Sequence, residues 1–404
     1  MIEGPIEKSK RSSFGSATEY HDWQRIAQQS LRPQFPKAIA KTNWQRTMFV
    51  YPTPRTIFRG DPLKAISFDA EKTISVIECD EPNAPGEGEV QVAIHRVGIC
   101  GTDTSAWLGK FPFFQFPRIP GHELGGEIVA LGAGVTNVAV GDRVSIEPYM
   151  YNPDSYSSRK GKPNCCNDMA VIGIHSNGGM CERINMPASK MHVNNSLAYE
   201  QLALVETLAI GCHAANRANP KPEDTVLIIG AGPIGLTCVE FVRARGCKIV
   251  MMDINEDRLK FCREKMGIEN TVTVKPDGSH AAEVESLSKG DFFDVVFDAT
   301  GHPGSMASAV GFVAFGGTLV FVGVSSGEVV IHHPTMHRRE LTLMSSRNAM
   351  PADFGEVMRL MESGQIVTDP WITHRSTMES LSDDFPSFLD PAAQVLKAMV
   401  HITE

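Results

Sequence analysis

Four side chains carry the strongest chemical signal in this chain of 404 residues: Cys100, His122, Glu123 and Glu206. A thiolate and an imidazole are the ligands that borderline-soft zinc prefers. Glu123 adjoins His122 and is placed to bind the same ion directly. Glu206, in Leu204-Val-Glu206-Thr-Leu, is either a fourth ligand or the group that holds a metal-bound water. An isolated Cys or His is most often a core residue, so the reading rests on the set.

A second constellation is Gly230-Ala-Gly232-Pro233-Ile234-Gly235. This G-x-G-x-x-G run closes an apolar strand, Thr225-Val-Leu-Ile-Ile, and opens a helix. Asp253 ends the next strand. That context is the dinucleotide fingerprint. Gly230 permits the tight turn, Gly232 lets a pyrophosphate approach the backbone, and Gly235 lets helix and sheet pack closely. The helix N-terminus offers free N–H groups to the phosphates. Asp253 is placed to accept hydrogen bonds from the adenosine ribose and to repel a 2′-phosphate, which favours NAD over NADP. Arg258 is a candidate to hold the same ribose.

Two textures must position these groups. From Lys64 to about residue 195, short alternating runs such as Lys64-Ala-Ile-Ser-Phe-Asp and Val90-Gln-Val-Ala-Ile-His read as half-buried strands. From about residue 200, strands alternate with helices: Thr225–Ile229, Lys248–Asp253, Phe293–Asp298 and Thr318–Gly323, with a helix stopped by Gly267. This is the pattern of a doubly wound parallel sheet, so the fold class is α/β. The last fifty residues return to mixed texture, with one clear helix expected over Phe354–Ser363, ended by Gly364.

Composition narrows the partners. The net charge of −9 argues against a nucleic-acid footprint. No uncharged apolar run of membrane-spanning length is present. Residues 1–60 are the exception to the acidic balance, with ten Lys/Arg against four Asp/Glu. They read as a disordered or loosely docked extension. Nine scattered cysteines do not form a disulfide framework. The first 30 residues contain no secretory h-region, and a cytoplasmic location is expected.

The chain resembles the zinc-dependent medium-chain dehydrogenase/reductase superfamily, closest to its polyol and sugar-acid dehydrogenase branch. The resemblance is carried by Cys100-Gly-Thr102-Asp103 and by Gly121-His-Glu-Leu-Gly-Gly126-Glu-Ile-Val-Ala-Leu-Gly132-Ala-Gly-Val135, followed by Glu206 and the Gly-rich turn. It covers residues 64–404. It implies a GroES-like β-rich catalytic domain over 63–207, a Rossmann domain over 208–347, and a return to the catalytic domain over 348–404, with residues 1–62 outside. It implies a catalytic zinc on Cys100, His122, Glu123 and a water, with Glu206 at the junction position. Thr102 takes part in removing the substrate proton, and Thr300, Val322, Gly323, Val324 and Arg347 join the cofactor set. It implies hydride transfer from a secondary alcohol of a polyol, sugar or sugar acid to NAD, and a homodimer or homotetramer. A dehydrogenase of simple alcohols and a non-catalytic protein that keeps NAD and zinc are the competing readings.

Two departures from the family pattern stand out. The lobe that often holds a structural zinc has Asn152, Ser155, Ser158 and Cys166 at its four positions, so a single zinc is expected. The proton relay has Ser105 where a His is common. His175, in the Gly173–Gly179 loop, is a candidate to touch a polar substrate.

Overall fold

Alternating apolar residues build the first sheet. In the strand Glu89–Gly98 the side chains of Val90, Val92, Ile94 and Val97 are fully buried. This strand pairs antiparallel with Glu123–Leu131, which pairs with Arg143–Ile146, which pairs with Met191–Val193. The structure is a computed structural model and describes residues 62–403. The basic extension, residues 1–61, lies outside the described residues. The chain returns to the first sheet at its far end: Lys397–His401 pairs antiparallel with Glu89–Gly98, with Met399 opposite Gly98. Ile372–Thr377 then adds a parallel edge.

The second sheet has six parallel strands in the order Asn270–Thr273, Lys248–Asp253, Thr225–Ile229, Phe293–Asp298, Val313–Phe321, Thr342–Ser345. Its central strands are continuous apolar runs because helices cover both faces. The strand order reverses beside Thr225–Ile229, the place where such sheets bind ligands at their carboxyl ends. The expected α/β architecture, a β-rich half and a doubly wound half, is the observed one. Among the described residues, no helix is long and apolar enough to cross a membrane.

One helix joins the halves. Tyr199–Ala218 runs unbroken for 20 residues. The expected domain boundary at residues 207/208 therefore falls inside a helix. Its N-terminus is tied by the Gln201 side chain, which accepts the Ala198 N–H at 2.9 Å. It ends at Asn219 in the left-handed region (φ 51°), a conformation Asn tolerates. Leu202, Leu204, Leu208 and Cys212 on this helix share one apolar core with Val226, Phe241, Phe354 and Met399. The helix Pro351–Glu362 begins three residues earlier than its apolar spacing suggests, because Pro351 is well suited to the first helical turn.

Because Leu208 is fully buried in that shared core, Leu208→Ala is expected to cost about 2–5 kcal/mol. Urea unfolding followed by circular dichroism checks this. A loss below 1 kcal/mol would place Leu208 in a site that collapses without penalty.

Candidate metal and dinucleotide site

Strand register brings the first three residues together. Glu123 lies directly opposite Gly98, two residues before Cys100. Gly98 has no side chain for a reason: a Cβ there would stand 2.0 Å from Glu123 Oε2. Cys100 caps the helix Gly101–Trp107, and its N–H donates to Asp103 Oδ2 at 2.9 Å. The ligand atoms of Cys100, His122 and Glu123 all lie within 4.8 Å of one another, and the last two residues are buried.

The surroundings of this cluster are strongly charged. Asp103, buried, places Oδ1 3.8 Å from His122 Nδ1, while Thr102 Oγ1 lies 3.4 Å from His122 Nε2. Burial alone would lower the His122 pKa, but Asp103, Cys100 and Glu206 outweigh it and hold the imidazole well above its usual range. Glu206 stands outside the three-residue cluster. Its carboxylate accepts a hydrogen bond from the Tyr149 phenol. Burial pushes Glu206 and Asp103 up and raises Tyr149 well above the usual phenol range.

Sequence reasoning missed Lys397. It is 3% exposed, and its Nζ lies 2.7 Å from both oxygens of Glu123. It also reaches the Ile99 carbonyl and Thr207 Oγ1, each at 3.3 Å. Burial would raise the Glu123 pKa, but Lys397 and His122 hold it below the usual carboxylate value. The signal for Lys397 was a lysine opening an apolar strand near the end of the chain. Tyr149 and Asp103 were missed as partners for the same reason: each acts through a neighbour distant in sequence or hidden behind the ligand.

The donor set suits a soft-to-borderline dication. His122 Nδ1 is buried without a hydrogen-bond partner. Four acid-forming groups, Cys100, Asp103, Glu123 and Glu206, face one buried ammonium, Lys397. A divalent cation offsets part of that negative charge.

The Gly-rich turn has the geometry its sequence calls for. Gly230 has φ +101°, and a Cβ on Gly235 would stand 1.7 Å from the Gly230 carbonyl oxygen. Gly232 precedes the helix Pro233–Ala244. Asp253 is buried, and its two oxygens accept the N–H groups of Ala231 (2.5 Å) and Asn255 (2.7 Å). It thus fixes the turn as well as facing it. Asn255 caps the next helix, Glu256–Met266. Arg258 approaches Gly232, its Nη1 lying 3.4 Å from where a Cβ would be. A cleft of about 310 Å³ opens here between Ala231, Asn255 and Arg258 on one side and Pro391, Gln394 and Leu396 on the other. Thr300 hydrogen-bonds Asp298 at 2.7 Å, Gly323 packs against Gly301, Val322 is buried, and Val324 is exposed. Arg347 follows the strand Thr342–Ser345 at the carboxyl edge.

Comparison with known proteins gives the same two halves. Residues 86–195 match the alcohol dehydrogenase GroES-like domain, and residues 233–363 match the zinc-binding dehydrogenase domain. The chain is 34% identical to the L-galactonate-5-dehydrogenase of Escherichia coli K12, over 81% of this chain and 99% of that protein. It is 31% identical to the L-arabinitol 4-dehydrogenase of Aureobasidium melanogenum, over 83% and 93%. The RspB alcohol dehydrogenase of E. coli CFT073, solved with NADH, superposes with a TM-score of 0.79 at 29% identity, over 85% of this chain and all of that one.

The chain belongs to the zinc-binding dehydrogenase family. As a zinc-binding dehydrogenase it is an oxidoreductase acting on secondary alcohols, with zinc and a nicotinamide dinucleotide as cofactors. Its lobe at residues 152–166 differs from a thiolate cage. Ser155 Oγ donates to Ser158 Oγ at 2.8 Å and accepts the Ser158 N–H at 3.2 Å, and Asn152 Oδ1 accepts the Asp154 N–H at 2.9 Å. Cys166 is buried and Cys165 exposed. His175 is exposed, and its Nδ1 accepts the Val171 N–H at 3.0 Å.

In the metal-stripped protein, removing Lys397 leaves Glu123 as a buried carboxylate without its counter-ion. Lys397→Met should therefore destabilise the protein by about 3–5 kcal/mol. Glu123→Gln in the same chain should return part of that loss. The folded Glu123 pKa lies below the ordinary value of 4.5. Its contribution is thus complete above that pH and is lost as pH falls below it. Denaturant titrations from pH 7 downwards check both. Additive losses in the double variant would contradict the pairing.

Proposed function

We propose that the protein oxidises a secondary alcohol on a polyol or sugar acid with NAD, at a single zinc held by Cys100, His122 and Glu123. The observation that carries the reading is the convergence of those three ligand atoms within 4.8 Å. Zinc supplies Lewis acidity there, lowering the pKa of a substrate hydroxyl.

The remaining work belongs to the chain. Asp103, with Oδ1 3.8 Å from His122 Nδ1, adds negative charge beside the imidazole. Thr102, whose hydroxyl lies 3.4 Å from His122 Nε2, is the group placed to relay the substrate proton towards solvent, which accepts it, with water, ribose hydroxyls or the Ser105 hydroxyl as further relays. Glu206, anchored by Tyr149, serves as a positioning carboxylate beside the site. The Gly-rich turn and Arg258 hold the dinucleotide, and positioning of the two reactants supplies much of the rate. Preference for NAD rests on Asp253, whose buried carboxylate at the strand end disfavours a 2′-phosphate. The substrate class is supported by the kinship with L-galactonate and L-arabinitol dehydrogenases, and His175 is a candidate contact. The count of one zinc is supported by the hydroxyl-bonded lobe around Ser155 and Ser158.

Self-association is favoured by the outer strand of the parallel sheet, Thr342–Ser345, and by the exposed apolar side chains of Phe315, Val324 and Val330. A reducing compartment such as the cytoplasm suits the nine cysteines, all of them unpaired.

The experiment is NADH formation across aldonates, polyols and simple alcohols, with zinc content measured alongside. Turnover of at least one aldonate or polyol with NAD, about one zinc per chain, and loss of activity with chelation are expected. Preference for NADP, or two zincs per chain, would overturn those parts of the reading. Glu123→Gln should lower zinc affinity strongly. Glu206→Gln should keep the zinc and lower turnover roughly 10–100-fold. The opposite pattern would exchange the two roles.

A further inference from the structure

A buried polar chain outside the metal site links the two halves of the molecule. Asn164, in the turn Pro163–Cys165, is 5% exposed. Its Nδ2 donates to the Arg347 carbonyl at 2.9 Å and lies 3.0 Å from His213 Nε2. His213 Nδ1 lies 2.9 Å from Asp353 Oδ2. Asp353, on the helix Pro351–Glu362, also accepts the Met350 N–H at 2.7 Å and the Asn216 amide at 2.8 Å. Asn216 in turn is held by Arg245, which stands near Glu356.

The chain has only one consistent polarity. Turning the Asn164 amide over would set its oxygen against the Arg347 carbonyl oxygen, two acceptors at hydrogen-bond distance. The amide nitrogen therefore faces both neighbours. His213 Nε2 must accept, so Nδ1–H donates to Asp353. Asn164, His213 and Asp353 are buried and Asn216 is exposed, and none of them holds a buried side-chain nitrogen or oxygen without a partner. The far end of the chain is the backbone of Arg347, where the loop turns through Asn348 at φ +52°. That loop follows the strand Thr342–Ser345 at the carboxyl edge of the parallel sheet, where such folds bind ligands. An apolar packing of the same volume would hold the two halves together without fixing a direction. This chain fixes the position of a single carbonyl.

We propose that Asn164 and His213 are positioning residues for the dinucleotide, acting by holding the Arg347 segment at the cofactor cleft from the catalytic half of the molecule. The proposal rests on the reading of Arg347 as a cofactor-facing residue. Its physical content is a coupling between the turn Pro163–Cys165, the helix Tyr199–Ala218 and the cofactor loop. In this lobe, hydroxyl and amide hydrogen bonds do the ordering.

The test is NADH affinity by fluorescence titration of the zinc-loaded enzyme, which needs no alcohol substrate. Asn164→Ala and His213→Leu should each weaken NADH roughly 5–30-fold, the scale of a lost buried hydrogen bond. Zinc content should remain unchanged, and KM for NAD should rise more than kcat falls. His213→Gln should recover affinity to about threefold of wild type, because its amide can accept from Asn164 and donate to Asp353. Combining Asn164→Ala with Arg347→Ala should bind NADH no more weakly than Arg347→Ala alone, within about twofold. Additive losses, unchanged NADH affinity despite a lower melting temperature, or a Gln variant no better than Leu would overturn it. If His213→Leu does not fold, Asn164→Ala and the double variant decide. A wild-type enzyme that binds NADH yet oxidises no secondary alcohol would contradict the proposed function and leave this test standing.

Discussion

The buried contact between Lys397 and Glu123 constrains the rest of the molecule. A carboxylate 1% exposed and an ammonium 3% exposed are each costly to desolvate, and each is tolerable only with the other in place. Lys397 lies on the strand Lys397–His401, 274 residues along the chain from Glu123. The pair can form only when the chain end returns across the dinucleotide-binding half and joins the first sheet beside Glu89–Gly98. The same ammonium shares Glu123 with whatever cation Cys100 and His122 hold. Glu123 thus has a cationic partner on each side, and the balance between them sets how much negative charge faces the metal.

That arrangement explains why the site draws on so many elements. Cys100 and Asp103 come from the start of a short helix, His122 and Glu123 from the head of a strand, and Glu206 from the middle of the 20-residue helix that joins the halves. Lys397 comes from the chain's last strand. A site assembled from four such pieces is fixed only when both halves are folded and in contact, and their shared apolar core provides that contact. A rigid frame of this kind suits hydride transfer, in which two reactants must be held at a defined separation.

Much of this was legible in the sequence, for stated reasons. Metal ligands are restricted to a few residue types, so Cys100, His122 and Glu123 stand out together. The Gly-rich turn is legible because a positive φ and the 1.7 Å approach at Gly235 admit nothing larger. Lys397, Tyr149 and the Asn164–His213–Asp353 chain were not legible. Their meaning comes from partners 49 to 274 residues away, and a lone Lys or His carries no mark of its partner. The continuity of the joining helix was not legible for a related reason. Helical periodicity continues from Tyr199 to Ala218 without regard to which sheet each turn covers, so a boundary set by motifs cut a continuous helix.

The central claim is that Cys100, His122 and Glu123 form one mixed sulfur, nitrogen and oxygen zinc site. X-ray absorption at the zinc edge of the purified protein tests it most directly. The account predicts a single sulfur scatterer near 2.3 Å, with the remaining ligands nitrogen or oxygen near 2.0–2.2 Å. Two or more sulfurs per zinc, or none, would contradict it.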